Sequence, residues 1–260
     1  MLTKILATKR TELETLQLPE ERTFEKQPLL TSLREGAALY GVGLIAEVKK
    51  ASPSKGSLNE NLDPVSQARL YEESGAQAVS VLTDETYFHG KRADLTAVKE
   101  AVHLPVLRKD FILEEVQIEE SARIGADAVL LIASALSPAK LKSLHEAAER
   151  FGMEALVEVH NAEELQEVLR EFQPPLIGVN NRNLETFETS LSVTEEVAPY
   201  VPEDVFLISE SAIHTSDDAA RAASAGAQGL LVGEALVTHE HPADAVASLR
   251  GGAGHGSPDV

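Results

Sequence analysis

Three stretches of this chain repeat one form, and their spacing limits the fold more than any other feature. "SGAQAVSVLTD" (Ser74–Asp84), "IGADAVLLIAS" (Ile124–Ser134) and "AGAQGLLVGEA" (Ala225–Ala235) each set Gly-Ala ahead of a short apolar run. Glycine suits a helix C-terminus because it accepts the left-handed conformation that ends many helices. Each stretch therefore reads as helix end, turn and strand. Gly75, Gly125 and Gly226 lie 50 and then 101 residues apart, close to one period and two. With about 25 residues per strand–helix unit, the echoes fall on the second, fourth and eighth units of an eight-unit array.

The other strands fill the gaps. "LIAEVK" (Leu44–Lys49) is the first, "PVLRKD" (Pro105–Asp110) the third and "EALVEVH" (Glu154–His160) the fifth. "PLIGVNN" (Pro175–Asn181) and "VFLISES" (Val205–Ser211) are the sixth and seventh. Amphipathic segments separate them, such as "SPAKLKSLHEAAERFG", with Ser137 and Pro138 as cap and first turn and Gly152 as stop. Apolar strands alternating with helices mean a parallel sheet, and eight units closing on themselves make an α/β fold of the (β/α)8 TIM-barrel type over residues 44–250. An open doubly wound sheet is the alternative, but no Gly-rich dinucleotide turn follows the first strand. Residues 1–43 carry Leu2, Ile5, Leu6, Leu13 and Leu16 at helical spacing, which predicts a helical extension packed on the barrel. The Gly-rich end, residues 251–260, has little to bury and is expected to be disordered.

Charge then narrows the partners. The formal net charge of −19 repels nucleic acid and anionic membranes, so neither is expected as a partner. An anionic metabolite must be held by local positive charge and backbone N–H groups. The chain has no cysteine, which excludes disulfides, thiolate metal sites and a thiol nucleophile. "MLTKILATKRTELE" meets charge too early for a signal-peptide core, and no apolar run approaches the ~20 residues of a membrane span. These features predict a cytoplasmic protein. "HEH" (His239–His241) has no evident third ligand, so no metal is expected there.

Barrel chemistry gathers where strands end, and here the endings are charged. Strand residues two apart share a face, so Ile45, Glu47 and Lys49 point together. Opposite charges at the mouth of a core cost desolvation that stability alone rarely explains. Strand three ends with Lys109, strand five with Glu158, strand six with Asn180 and Arg182, and strand seven with Glu210 and Ser211. Strand eight ends at Gly233, which opens a short helix. Its N–H groups and the preceding loop are where a barrel holds phosphate. Lys50, Lys55 and Arg108 read as solvated or structural, and His160 is expected to point out of the barrel.

"IAEVKKASPSKG", "LRKDFI", "VEVHN", "GVNNRNL", "ISESAI" and "LLVGEAL", in this order and spacing, resemble the indole-3-glycerol-phosphate synthases of tryptophan biosynthesis, from about residue 2 to residue 249. The resemblance implies a carboxy-lyase that converts 1-(2-carboxyphenylamino)-1-deoxyribulose 5-phosphate to indole-3-glycerol phosphate, carbon dioxide and water. It implies no metal or organic cofactor, and a monomer or weak homo-oligomer is expected. On this resemblance Lys109 is the general acid at the C2 carbonyl oxygen, and Lys49 pairs with the substrate carboxylate while Glu47 orients its ammonium. Glu158 moves a proton in the dehydration. Asn180, Glu210 and Ser211 fix sugar hydroxyls and lysines. Ser52 and the N–H groups near Ala212, Gly233 and Glu234 hold the phosphate. The aromatic ring lies against Phe88, Phe111, Leu130 and Leu184. Arg182 either contacts substrate or tethers the strand-six loop.

Two positions depart from the family pattern. Ala212 stands where glycine is usual, and alanine resists positive φ, which predicts a reshaped phosphate loop. Glu234 stands where a small hydroxyl residue is common, and repulsion from a phosphate predicts that its side chain turns away. Read from residues alone, a Schiff-base aldolase using Lys109 or Lys49, another phosphosugar barrel such as a ketol isomerase, and a non-catalytic phosphate-binding barrel remain open.

Overall fold

The computed structural model of the chain describes residues 1–53, 55–59, 61–183 and 186–252. Two helices come first, α1 (Leu2–Glu14) and α2 (Leu29–Tyr40). Eight strands follow: β1 (Gly43–Val48), β2 (Ala78–Leu82), β3 (Val106–Lys109), β4 (Ala128–Ile132), β5 (Glu154–Val159), β6 (Leu176–Asn180), β7 (Phe206–Glu210) and β8 (Gly229–Val232). All pair in parallel and close into a barrel in the circular order β1-β8-β7-β6-β5-β4-β3-β2. A short ribbon, Ala51–Ser52 against Gly56–Ser57, follows β1.

The connecting helices are α3 (Pro64–Glu73), the pair α4 (Glu85–Phe88) and α5 (Arg92–Ala101), α6 (Glu115–Ile124), α7 (Pro138–Arg150), α8 (Ala162–Glu171) and α9 (Ser192–Val197). Then come α10 (Ser216–Ser224), α11 (Glu234–Val237) and α12 (Pro242–Gly252). Among the described residues no helix is long and apolar enough to cross a membrane.

The repeated Gly-Ala form is what closes each unit. Gly75, Gly125 and Gly226 all have positive φ, at 86°, 100° and 112°, and each is followed by a buried strand, β2, β4 and β8. Ser137 caps α7 by accepting from Lys140 N, and Gly152 has φ 70° just past that helix.

Strand alternation splits the apolar residues into two layers. Leu44, Ala46 and Val48 of β1 face the helices, whereas Ile45 joins Leu107, Leu156, Ile208 and Leu231 inside the barrel. The floor of that interior is the helical extension. Leu29 and Leu33 of α2 are fully buried against the inner layer. Glu154, where β5 begins, accepts from Leu30 N at 3.2 Å and from Leu29 N, supplying the two leading N–H groups of α2 with the side-chain partner that its own Pro28 cap lacks.

Boundaries shift slightly from the sequence reading. β1 starts at Gly43, one residue early, and α12 runs on through Gly252, because its apolar face (Ala245, Val246, Leu249) packs on the barrel. The expected disordered end therefore loses residues 251 and 252. The rest of that expectation, 253–260, lies outside the described residues.

Candidate active site

Alternation carries the inner layer outward to the C-terminal mouth. Two residues beyond Ile45 stands Glu47, beyond Leu107 stands Lys109, beyond Leu156 Glu158, beyond Ile208 Glu210 and beyond Leu231 Gly233. Glu47, Lys49, Lys109, Glu158, Asn180 and Glu210 line one cavity. Residues separated by up to 163 positions along the chain thus share one space because each sits at or just past the C-terminal end of its strand.

Lys109 is the hub. Its Nζ lies 2.5 Å from Glu210 Oε2 and 3.3 Å from Glu158 Oε2. Burial acts to strip its proton, but Glu210, Glu158 and Glu47 outweigh burial and hold its pKa well above the ordinary lysine value. Lys49 Nζ sits 2.6 Å from Glu47 Oε1, and Ser80 Oγ donates to Glu47 Oε2 at 3.5 Å. Burial pushes the Glu47 carboxyl up, yet Lys49 and Lys109 together keep it below the usual range. Burial pushes Glu210 up to about 7, with Lys109 offsetting only part of the effect. Glu158 goes the other way: its burial is outweighed by Lys109, by His160 and by the Asn180 amide. Two carboxyls beside one ammonium are thereby driven apart, one readily protonated near neutrality and one ionised. That split marks acid–base machinery better than any single shift.

Two glycines make room for this centre. A Cβ on Gly178 would lie 2.1 Å from Glu210 Oε1, and one on Gly233 would lie 2.4 Å from Glu47 Oε1. Gly178→Ala is accordingly expected to displace Glu210 from Lys109 and to lower kcat about 10²-fold, the scale of a small misplacement of catalytic groups. Steady-state kinetics on a variant with native circular dichroism checks this, and an unchanged kcat would show that Glu210 need not sit where it does.

The mouth has an apolar side and a phosphate-like side. Phe88 and Phe111 face each other with ring centroids 6.1 Å apart, and Leu130 is buried behind them. Leu184, expected in this wall, lies outside the described residues. Across the mouth, Gly233 caps α11, and Ser211 and Ala212 complete the β7 loop beside it. Ala212 does not avoid positive φ. Ser211 and Ala212 take φ of 64° and 61°, the left-handed backbone that glycine adopts freely, at a cost of roughly 1–2 kcal/mol each. Buried Asn181 helps to hold them there, its Nδ2 donating to Glu210 O at 3.0 Å and Ser211 O at 3.3 Å.

Glu234 also departs from expectation. Its carboxylate does not turn away but spans the mouth, with Lys55 Nζ at 3.4 Å from one oxygen and Arg182 Nη2 at 3.7 Å from the other. These two cations hold it across the mouth. Arg182 also donates to Phe187 O at 3.4 Å, which is the loop tether. Ser52 lines the same mouth and accepts from Lys55 N at 3.3 Å. Lys50 pairs with Asp94 at 2.7 Å, and Arg108 is buried in a network with Asp110, Glu120 and Ser121, so both are structural. Among the described residues no cluster of His, Asp and Glu could hold a metal ion.

His160 corrects another expectation. It does not point away: its ring packs beside Glu158, with Nε2 3.3 Å from Oε1. Although β5 ends at Val159, His160 keeps the alternation of the strand and falls on the same side as Glu158 two residues before it. Leu2 and Ile5 of α1 also line the cavity, which the sequence reading missed, and it missed as well the burial of the Lys9 ammonium against Asp84 at 2.8 Å and Asp110 at 3.0 Å.

A family model described as indole-3-glycerol phosphate synthase matches residues 2–249. The chain belongs to the indole-3-glycerol phosphate synthase family. It is 54% identical over 249 residues to the indole-3-glycerol phosphate synthase of Shouchella clausii, covering 96% of this chain and 97% of that protein. Relatives of the same name from Halalkalibacterium halodurans (51% over 252 residues, 97% of each chain) and Priestia megaterium (50% over 251 residues, 96% and 98%) match along the same length. The family assignment therefore spans the extension and the whole barrel, including every residue of the charged mouth.

Proposed function

We propose that this cavity closes the indole ring of 1-(2-carboxyphenylamino)-1-deoxyribulose 5-phosphate, giving indole-3-glycerol phosphate, carbon dioxide and water. The observation that carries the reading is the ion cluster in which one ammonium, Lys109, faces Glu210 and Glu158 between an aromatic wall and a helix-capped loop. The substrate has an apolar ring with a carboxylate at one end and a phosphate at the other. Phe88, Phe111 and Leu130 suit the ring, Lys49 suits the carboxylate, and the N–H groups at Ala212, Gly233 and Glu234, with Ser52, suit the phosphate.

The chemistry follows from the charges. Attack of the ring carbon on the C2 carbonyl builds negative charge on that oxygen, and Lys109 donates its proton there. Its raised pKa is no obstacle, because the oxygen becomes a strongly basic alkoxide as the bond forms. Loss of carbon dioxide returns the electron pair to the ring, with Lys49 holding the carboxylate until it leaves and Glu47 holding Lys49. Dehydration needs a proton on the departing hydroxyl and removal of one from the new ring, which is the work of Glu158. Glu210, Asn180 and Ser211 orient Lys109, Glu158 and the sugar hydroxyls.

A firmly protonated Lys109 is a poor nucleophile, which argues against the Schiff-base alternative. Residues 1–43 act on this reading as an extension that completes the barrel at 44–250. A monomer or weak homo-oligomer is part of the same proposal, and the cysteine-free composition supports a cytoplasmic setting. The deciding experiment is indole formation from the carboxyphenylamino sugar phosphate, followed by ultraviolet absorbance or fluorescence. Product without borohydride-trappable adduct is the expected result, and a trapped adduct without indole would overturn it.

A further inference from the structure

Charge conservation poses a problem that the residues above leave unsolved. The substrate enters with a phosphate and a carboxylate, and the carboxylate leaves as neutral carbon dioxide. Two protonations, at the carbonyl oxygen and at the departing hydroxyl, are balanced by only one deprotonation. Each turnover therefore takes up a proton from solvent. Lys109 and Glu158 are buried, and a seated substrate fills the mouth above them, so that proton needs another way in.

His160 stands on that way. Its Nδ1 lies 3.2 Å from Glu164 Oε2 on α8, and its Nε2 lies 3.3 Å from Glu158 Oε1. Glu158 Oε2 in turn lies 3.3 Å from Lys109 Nζ. Side-chain exposure falls along this line, 21% at Glu164, 11% at His160 and 3% at Glu158. Nε2 is buried, and among the described residues it has no well-formed hydrogen bond, so it is aimed at Glu158 but not locked to it. Glu164 also accepts from His160 N at 2.9 Å, which fixes the backbone of the ring. The charged groups facing the imidazole are Glu158 from β5 and Glu164 from α8, with Lys109 of β3 beyond Glu158.

Building on the ring-closure reading, we propose that Glu164 and His160 form a proton path from solvent that supplies Glu158, and through it Lys109, while substrate fills the mouth. Glu158 is ionised at rest and serves as a relay. The proton it takes from the indole ring returns to Lys109, and as the hydroxyl departs His160 passes its Nε2 proton to Glu158 Oε1 for delivery to that hydroxyl. The ring is left neutral with Nδ1–H. A flip of the ring turns Nδ1–H inward and the bare nitrogen towards Glu164, where a solvent proton restores the imidazolium. Burial lowers the basicity of the ring, but its two carboxylate neighbours outweigh it and raise the pKa to about 10. The resting ring is thus loaded. His160 acts through Glu158 and is a positioning residue, not one that touches substrate.

The test compares wild type, His160→Asn and Glu164→Gln in single- and multiple-turnover carbon dioxide release and indole formation. In His160→Asn carbon dioxide release in the first turnover, which uses the proton already on Lys109, is expected to run near the wild-type rate, while indole formation lags. Steady-state kcat is expected to fall roughly 10²-fold with KM unchanged, and added imidazole is expected to restore it in proportion to concentration. Glu164→Gln should show the same pattern in weaker form, and it serves alone if His160→Asn does not fold. Wild-type kcat in both variants, or slow first-turnover carbon dioxide release that imidazole leaves slow, would overturn the path while sparing ring closure. An inert wild type would remove the ring-closure reading itself, and the path with it.

Discussion

Lys109→Met is expected to lower kcat about 10³-fold, within the range that a positioned general acid supplies, while leaving KM within a few-fold. The split follows from geometry. Lys109 touches Glu210 and Glu158, whereas Lys49 with Glu47, and the Gly233–Glu234 turn, belong to the neighbouring strands β1 and β8. Binding by those groups survives when Lys109 is neutral. Methionine keeps most of the length and the apolar stem but removes the cation that Glu210 and Glu158 share. Those carboxyls then lose the Coulomb attraction that opposes their burial, and one of them binds a proton at neutral pH. That proton is misplaced: it rests on a carboxyl aimed at the vacated ammonium, not at the substrate oxygen. Arginine restores charge but not function, because its planar fork cannot take the place of a compact ammonium. Steady-state kinetics and calorimetric binding of product separate the two effects. Retained turnover would remove Lys109 from the acid's role, and lost binding would make it an anchor instead.

Why the charged mouth was legible in sequence and other parts were not comes down to period. A strand places every second residue on one face, so "LIAEVK" and "VLRKD" declare their inward charges without any knowledge of the partners. The Gly-Ala echo announces the closing turn of a unit because positive φ at Gly75, Gly125 and Gly226 is a local requirement. His160 follows the same alternation as Glu158 even though it lies one residue past β5, so extending the period by one residue would have placed it. Glu234 is held by Lys55 and Arg182, which come from two distant loops, and no local rule pairs them. Ala212 obeys the loop and not its own preference, because Asn181 and the β7 end fix the backbone around it. Lys9 did leave a trace. It lies four residues after Ile5 and seven after Leu2, in the apolar stripe of α1, where a lysine should not be unless something buried answers it.

What answers it makes Lys9→Met the variant with the largest expected effect on stability, a loss of about 3–5 kcal/mol and of roughly 10 °C in Tm. The ammonium is 4% exposed and lies between Asp84 at 0% and Asp110 at 3%. Removing it strands both carboxylates in the protein interior. Arg108 Nη2, 3.2 Å from Asp110, is left as the cation of that carboxylate and is already shared with Glu120 at 2.8 Å. The pH dependence carries a definite sign. Burial favours the neutral form of Asp110, but Arg108, Lys9 and a hydrogen bond from Thr83 outweigh it and hold the carboxyl at about 2, below its ordinary 3.8. A depressed carboxyl stabilises the fold above its unfolded pKa, and that contribution disappears as pH falls through the folded value. Without Lys9 the folded value rises, so acid unfolding must begin at higher pH than in wild type. Function follows by the same contacts. Asp84 Oδ1 accepts from Tyr87 N at 2.6 Å and Phe88 N at 3.2 Å, and so sets the aromatic wall, while α1 brings Leu2 and Ile5 to the cavity. Loosening this anchor should raise KM more than it lowers kcat, opposite to Lys109→Met. Thermal melts at neutral pH, an acid titration of stability and the KM of the variant each test it. A Tm within about 2 °C of wild type, less than 1 kcal/mol at this chain length, would mean that the two aspartates have another answer to their charge.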